Sequence, residues 1–211
     1  MHRPFLPAAR AAALGLALAT LAASALVPTL AHAGLDSDNP VHPLIGLALT
    51  GGGDKLASVE FNDGGSRDIT AGGLVYLYGG VEFHQKGSPF AVQGTIGYHF
   101  DNTSAENGTQ RFDRFPVEVI GLFNATPHFR VGAGARYASG AKLHTSGAGQ
   151  IDNGNGGGDF NFKSQLGGVL MAEWLITPSM GVQLRYVHET YKYNGVSIDG
   201  SHGGLGFNYY F

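Results

Sequence analysis

The chain has 211 residues, a formal net charge of −3 and no cysteine. The lack of cysteine excludes a disulfide framework and a thiolate metal site, and the mild acidity offers no basic patch for a nucleic-acid partner. Its 34 glycines follow no Gly-X-Y period, and 13 Phe and 9 Tyr argue against a disordered chain. This composition suits closely packed, twisted β-strands.

Residues 1–33 have the three parts of a secretory signal peptide. Two arginines give a positive start, an uncharged apolar run follows over 11–27, and Ala31 and Ala33 form the small-x-small site that signal peptidase accepts. A retained transmembrane anchor is the alternative, because the 17 residues of the run nearly span a bilayer. Cleavage after Ala33 would remove 33 residues and two positive charges, leaving 178 residues with a formal charge of −5.

The remaining chain alternates between apolar and polar residues with a period of two. No stretch of it contains the roughly 18 consecutive apolar residues that a membrane helix needs. The alternation recurs in segments of about ten residues or more, which is typical of strands in membrane barrels. The predicted strands lie at 44–53, 68–84, 90–101, 112–123, 128–141, 163–176, 180–193 and 201–211.

The predicted connections have two sizes, and the sizes alternate along the chain. Three short turns contain a proline, at 86–89, 124–127 and 177–179. Four longer polar segments lie between the other strands, at 54–67, 102–111, 142–162 and 194–200. Bacterial outer-membrane barrels show the same asymmetry, with short turns in the periplasm and long loops outside. Residues 34–43 would then be a short periplasmic segment.

One face of the predicted strands is almost free of charge, with Asp113 near a strand end as the exception. A charge facing hydrocarbon at mid-bilayer costs about 2–4 kcal/mol, so this face is predicted to contact lipid. Residues 44–211 are therefore predicted to form an all-β domain, an eight-stranded antiparallel up-and-down transmembrane β-barrel. Representative members of the face are Ile45, Leu77, Ile96, Val119, Val131, Leu170, Leu184 and Leu205.

The opposite face carries four glutamates and four arginines, which would point into the barrel. Eight strands leave room for side chains rather than for an open pore, and buried ions must be paired. We expect one network that closes the lumen, so the losses from Glu173→Gln and Arg136→Gln should not add fully. A substrate or ion site is the alternative. The eight residues are Glu82, Arg114, Glu118, Arg130, Arg136, Glu173, Arg185 and Glu189.

The last strand ends in Phe211, with another aromatic residue at the alternate position Tyr209. This ending resembles the signal by which the assembly machinery recognises bacterial outer-membrane barrels. The layout of the whole mature chain is similar to the small eight-stranded barrels of the OmpA, OmpX and OmpW group. The resemblance implies a bacterial outer-membrane location, with membrane lipids, lipopolysaccharide and the assembly machinery as partners. No cofactor or metal is expected, because the nine histidines show no metal-ligand spacing.

Three functions are compatible with these observations. The first is a structural or interaction barrel that presents its loops outside the cell. The second is a narrow channel or carrier for small or hydrophobic solutes, favoured by small inward residues such as Gly46, Gly132 and Gly206 and by the OmpW-like size. The third is a lipid A-modifying enzyme, because the surroundings of His99 resemble the His-x-Ser-Asn element of PagL-type deacylases. Asp101 stands where that family has serine, so no enzyme is predicted.

Overall fold

The computed structural model describes Leu35 and residues 38–60, 65–105, 108–147 and 158–211. The predicted signal peptide and its cleavage site at Ala31 and Ala33 lie outside these residues, so cleavage stays a prediction. Within the described ranges, no helix has the length and apolar character needed to cross a membrane.

Eight antiparallel strands form a closed sheet. Each of β1, β4, β5, β6, β7, β10, β11 and β14 pairs with the next, and β14 pairs with β1. This confirms the predicted eight-stranded antiparallel barrel. The described strands are β1 (Val41–Gly51), β2 (Lys55–Glu60), β3 (Ser66–Thr70), β4 (Leu74–His84), β5 (Phe90–Ala105), β6 (Gly108–Asn124), β7 (Phe129–Gly147), β8 (Asp159–Asn161), β9 (Lys163–Ser164), β10 (Leu166–Thr177), β11 (Met180–His188), β12 (Thr190–Tyr193), β13 (Val196–Asp199) and β14 (His202–Tyr210).

The barrel has a short-turn end and a loop end. The three predicted proline turns connect β4 to β5, β6 to β7 and β10 to β11, as expected. Leu35 also lies at the short-turn end, where its backbone N–H donates to the Pro178 carbonyl at 2.9 Å. The predicted lead-in 34–43 is too long, because Val41 and His42 already pair with β4.

At the loop end, the prediction of long polar loops is wrong for most of the described residues, while 61–64, 106–107 and 148–157 lie outside them. Residues 102–105 belong to β5 and 108–111 to β6, and the two strands stay paired as far as Ala105 and Gly108. Residues 54–67 contain most of the β2–β3 hairpin, 142–162 contain the end of β7 with β8, and 194–200 contain β13. The physical reason is that a hydrogen-bonded ladder, once begun inside a membrane, continues into water without any apolar alternation.

The outer face of the barrel is apolar, as the alternation predicts. Side chains from every barrel strand are exposed there, for example Leu184 at 61% and Leu205 at 62%. Asp113 is the charged residue of this face, and its carboxylate accepts a hydrogen bond from Arg111 Nε at 2.7 Å and another from Tyr98 Oη. Its charge is therefore compensated near the loop end.

The inner face combines ion pairs, tyrosines and a smaller apolar cluster. That cluster consists of Ala91, Ile120, Leu122, Val169, Met171 and Val187. Bulky neighbours take up the room that the inward glycines leave. A Cβ at Gly46 would collide with the Tyr78 ring, and one at Gly206 would crowd the Gln183 side chain. The predicted small positions therefore accommodate large partners from adjacent strands.

Candidate functional site in the barrel lumen

The predicted lumen residues are all buried, with exposed fractions between 0% and 3%. The structure brings them together in two separate groups. We call the group nearer the short turns the lower layer, which consists of Glu82, Arg130 and Glu173. The group nearer the loops is the upper layer, which consists of Arg114, Glu118, Arg136, Arg185 and Glu189.

In the lower layer, Arg130 lies between two carboxylates. Its Nη1 donates to Glu82 Oε1 and its Nε donates to Glu173 Oε2, both at 2.7 Å. Arg130 and Glu173 are direct cross-strand neighbours on β7 and β10, whereas Glu82 reaches Arg130 from β4. Glu173 also accepts hydrogen bonds from Asn208 Nδ2 at 2.7 Å and from the Tyr210 hydroxyl at 2.9 Å.

In the upper layer, Arg136 bridges two carboxylates in the same way. Its Nη1 donates to Glu118 at 2.5 Å and its Nε donates to Glu189 at 2.8 Å. Arg185 Nη2 donates to the same Glu118 oxygen at 2.5 Å. Arg114 lies farther away, with Nε 3.9 Å from Glu189 Oε1. The layer thus contains three arginines and two glutamates.

Two stacked tyrosines separate the layers. The rings of Tyr76 and Tyr78 lie 4.7 Å apart between their centroids, and the Arg185 guanidinium lies over both. Tyr78 Oη donates to Asn208 Oδ1 at 2.5 Å, and Asn208 in turn donates to Glu173. Among the described side chains, no ion pair joins the two layers. The prediction of one continuous ion-pair network is therefore wrong, because the strand registers place Glu173 and Arg136 in different layers.

The surroundings of His99 do not reproduce a catalytic dyad. Thr50 Oγ1 lies 2.8 Å from His99 Nε2, but this hydroxyl also donates to the Gly72 carbonyl at 2.8 Å. Arg136 Nη2 lies 3.0 Å from His99 Nδ1 and Arg114 Nη2 lies 3.0 Å from His99 Nε2, so an arginine donor faces each ring nitrogen. A base that activates a nucleophile needs a free Nε2 lone pair and an acceptor at Nδ1. His99 instead has arginine donors at both ring nitrogens and serves as a hydrogen-bonding residue of the upper layer.

A hydrophobic cluster lies above the upper layer at the loop end, and we call it the cap. Its buried members come from the β2–β3 hairpin, β6, β7 and β12. Phe112 packs edge-on against both Phe162 and Tyr191, with centroids 5.6 Å apart in each pair. Burial raises the pKa of the Tyr191 phenol, whose hydroxyl donates to Glu189 at 2.8 Å. The cap therefore continues directly into the upper layer. The buried members are Ala57, Ile69, Ala71, Phe112, Ala138, Ala141, Leu143 and Tyr191.

Polar contacts hold the chain after the β2–β3 hairpin against the barrel wall. Thr70 N donates to Asp101 Oδ2 at 3.1 Å, and Arg114 Nη2 donates to the Gly73 carbonyl at 2.8 Å. Asp101 therefore binds backbone at the position where the deacylase-like element would have its nucleophile. These contacts fix the backbone that follows Ile69, which is fully buried in the cap.

Sequence reasoning missed the cap and several partners of the ion pairs. Gln183, His202 and Tyr210 are buried and hydrogen-bonded in the lumen. A usable signal was present, because aromatic residues alternate at Phe160 and Phe162 and again at 191 and 193. Spacing of this kind indicates a strand with one apolar face even in a polar segment.

At the carboxyl terminus, the predicted assembly residues lie beside the first strand. Tyr209 and Phe211 contact each other edge-on, with ring centroids 4.9 Å apart. Phe211 N donates to the Pro43 carbonyl at 2.9 Å, which extends the pairing of β14 with β1. Both side chains are partly exposed, as a recognition signal requires, while recognition itself stays a prediction.

Comparison with solved structures finds outer-membrane barrels at low sequence identity. Ail, the attachment invasion locus protein of Yersinia pestis, is 17% identical, with 81% of this chain and 97% of Ail covered and a TM-score of 0.49. OprG from Pseudomonas aeruginosa is 13% identical, with coverages of 82% and 97% and a TM-score of 0.38. OmpT of Vibrio cholerae is 16% identical, with coverages of 82% and 52% and a TM-score of 0.28. No protein family and no curated protein matches the chain.

Proposed function

We propose that the chain is an exported protein of the bacterial outer membrane. Its barrel would be closed along the axis, and its folded loop end would be a surface for interactions outside the cell. The apolar outer face supports the membrane location, since exposed leucines such as Leu184 and Leu205 are stable in hydrocarbon and costly in water. The signal-like residues 1–33 and the terminal Phe211 support export and assembly.

The observation that carries the closed lumen is the stacking of the lower layer, the tyrosines, the upper layer and the cap. Each charged side chain in the layers is buried, and Arg130 and Arg136 each hold two carboxylates. A passing ion would have to displace these charge-assisted hydrogen bonds, which are worth about 1.5–3 kcal/mol each. An ion pathway would instead carry a ring of one sign.

Orientation can be tested directly because the chain has no cysteine. Val196→Cys lies in β13 at the loop end, and Ala125→Cys lies in a short turn. A membrane-impermeant maleimide applied to intact cells should label Val196→Cys at once. It should label Ala125→Cys only after the outer membrane is permeabilised. Labelling of Ala125→Cys alone on intact cells would reverse the orientation.

Closure is tested by conductance in planar lipid bilayers. The refolded mature protein should give no current above that of the lipid alone. Leu184→Ala, a control substitution on the lipid face that leaves the lumen unchanged, should also give no current. Regular single-channel steps in the wild type, present also after repeated purification, would contradict a closed lumen.

A second candidate function is a carrier for small hydrophobic solutes, which one observation favours. A cleft of about 430 Å³ opens at the loop end, with Asp54 and Lys55 at its rim and mostly apolar walls. Ligand pockets usually have this size and polarity. Its apolar lining consists of Leu56, Leu143, Phe160, Phe162, Tyr193, Val196 and Ile198.

Transfer of a neutral aromatic fluorophore into proteoliposomes tests the carrier function. If the cleft passes solutes, the wild type should accelerate transfer over protein-free vesicles and Phe162→Ser should abolish the acceleration. Trp174→Phe, which changes an aromatic residue on the outer face, is the matched control. Equal rates with and without protein would leave the closed interaction barrel as the function.

A further inference from the structure

The lower layer carries one more negative charge than positive charge. Arg130 faces both Glu82 and Glu173, and the two carboxylates are not equally satisfied. Both Glu173 oxygens accept hydrogen bonds, from Arg130, Asn208 and Tyr210. Glu82 Oε1 accepts one from Arg130, whereas Glu82 Oε2 is buried and has no hydrogen-bond partner among the described residues. Glu82 Oε2 is therefore the carboxylate oxygen of the lower layer that Arg130, Asn208 and Tyr210 leave uncompensated.

Other buried oxygens lie on the same wall of the barrel. Gln93 is the direct cross-strand neighbour of Glu82, and Thr95 follows two residues later on the same inward face of β5. Tyr76 approaches this wall from β4, with its phenol beside Thr95. Gln93 Oε1 is buried without a hydrogen-bond partner in the described part of the chain, and the Thr95 and Tyr76 hydroxyls are buried there with no partner other than each other. Directly opposed side chains on neighbouring strands have Cβ atoms about 5 Å apart.

A buried carboxylate oxygen without a partner costs several kcal/mol, and so does a buried amide carbonyl. While Glu82 is ionised, neither atom can satisfy the other, because both are then hydrogen-bond acceptors. A proton on Glu82 would also join the two atoms, but it would leave stability independent of the choice between Na⁺, K⁺ and choline. A hydroxyl can donate one hydrogen, which is too little for a full negative charge. A bound cation satisfies all of these oxygens together and neutralises the layer.

We propose that this wall of the lumen binds one monovalent metal cation, Na⁺ or K⁺, through Glu82, Gln93 and Thr95, with Tyr76 beside the site. Oxygen ligands of this kind suit hard cations rather than transition metals. A single surplus charge matches a monovalent ion. Divalent ions favour several carboxylates, and within the described residues no group of three or more His, Cys, Asp or Glu is placed to hold a metal.

His42 is the rival source of positive charge. It lies opposite Glu82 across the β1–β4 pair and is fully buried. A protonated imidazole there would compensate the layer without any metal ion. The two explanations differ in their response to added salt, because only a bound metal ion makes stability depend on which cation is present.

Urea unfolding of the folded protein in phospholipid vesicles tests the site. The concentration of Na⁺ or K⁺ is varied, and choline chloride keeps the ionic strength constant because choline is too large to enter the proposed site. Above the dissociation constant of the site, the folding equilibrium constant should rise tenfold for each tenfold increase in the free cation. Glu82→Gln and Gln93→Leu should each abolish this dependence. Gln183→Leu, which removes a buried amide bonded to Tyr78, should lower stability but keep the dependence.

Crystals grown with Rb⁺ or Tl⁺ give a direct readout. An anomalous peak in contact with Glu82 Oε2 and Gln93 Oε1 is expected. Water density alone at this position, together with a wild type indifferent to Na⁺ and K⁺, would overturn the proposal. A wild type that is indifferent to the cation and loses stability in His42→Asn would assign the counter-charge to the imidazole instead.

Discussion

Replacing Arg130 with methionine removes the guanidinium that pairs with both carboxylates of the lower layer. Two carboxylates, Glu82 and Glu173, each lose a hydrogen bond of 2.7 Å and then face each other in a buried site. Breaking a buried pair in this way costs about 3–5 kcal/mol. Glu173→Gln should cost less, about 1.5–3 kcal/mol, because the amide keeps contacts with Asn208 and Tyr210. The double variant should cost less than the sum, with a coupling of about 0.5–3 kcal/mol.

Urea unfolding in phospholipid vesicles, followed by far-ultraviolet circular dichroism, measures these differences. The matched control is the pair Arg136→Gln and Glu173→Gln, taken from separate layers with no shared hydrogen-bond partner among the described residues. Their losses should add within about 0.5 kcal/mol. Coupling between Arg136 and Glu173 as large as that between Arg130 and Glu173 would refute the division into two layers.

Four further outcomes follow from the structure. Leu184→Arg, at a lipid-facing position, should destabilise the barrel by about 2–4 kcal/mol in vesicle unfolding, and a neutral effect would reverse the assigned face. Ile69→Asp should open the cap, because a buried unpaired charge costs at least about 3 kcal/mol. Protease cleavage at the loop end should increase, while the urea concentration that unfolds the barrel strands should not change. Deletion of Phe211 should slow assembly in cells, seen as less heat-modifiable protein in the outer membrane, whereas Tyr193→Phe should not. The hydrogen bond from Lys55 lowers the pKa of Asp68, so the stabilising effect of this ion pair is present above about pH 4 and is lost as pH falls through the lowered pKa. Protection of the β2–β3 amides from hydrogen exchange should fall over the same pH range. Asp68→Asn should remove this loss of protection in acid.

The barrel itself could be predicted from the sequence because a bilayer imposes a strict rule. Each membrane strand must present an uncharged face to lipid, so a period of two without charge appears in every strand. Val119 and Leu184 were assigned outward on this basis, and Glu118 and Arg185, their chain neighbours, were assigned inward. The structure confirms both faces. The number of strands followed from the same pattern.

The partners inside the lumen could not be predicted, because they depend on strand register. Arg130 meets Glu173 and Arg136 meets Glu118 as direct cross-strand neighbours, and a shift of two residues along β7 would place His128 or Gly132 opposite Glu173 instead. Such a shift keeps every side chain on its own face, so the alternation of apolar and polar residues does not distinguish the two registers. Residue type and parity therefore identified the eight ions but not the two layers.

The loop end was missed for a different reason. Strands outside the membrane have water on one side, so any polar residue is tolerated at their outward positions. Segments such as 102–104 therefore carry no apolar period, although their backbone pairs continuously with β6. The apolar signal remained only in the residues that face the cap, such as Phe112 and Phe160. Reading those residues as one face would have predicted a folded loop end.

The two buried layers of the lumen contribute to stability, whereas the exposed residues of the loop end are free to contact other molecules. The side chains of the lower layer have a surplus negative charge. The upper layer, with three arginines and two glutamates, has a surplus positive charge, and in each layer the buried ions depend on partners in the same layer. A change in either layer leaves a buried ion uncompensated, at a cost comparable with a large part of a domain's total stability. The exposed side of the loop end, including Val196 at 63% exposure, bears no such constraint. Substitutions there should leave unfolding unchanged while altering binding, if the loop end is the interaction surface that we propose.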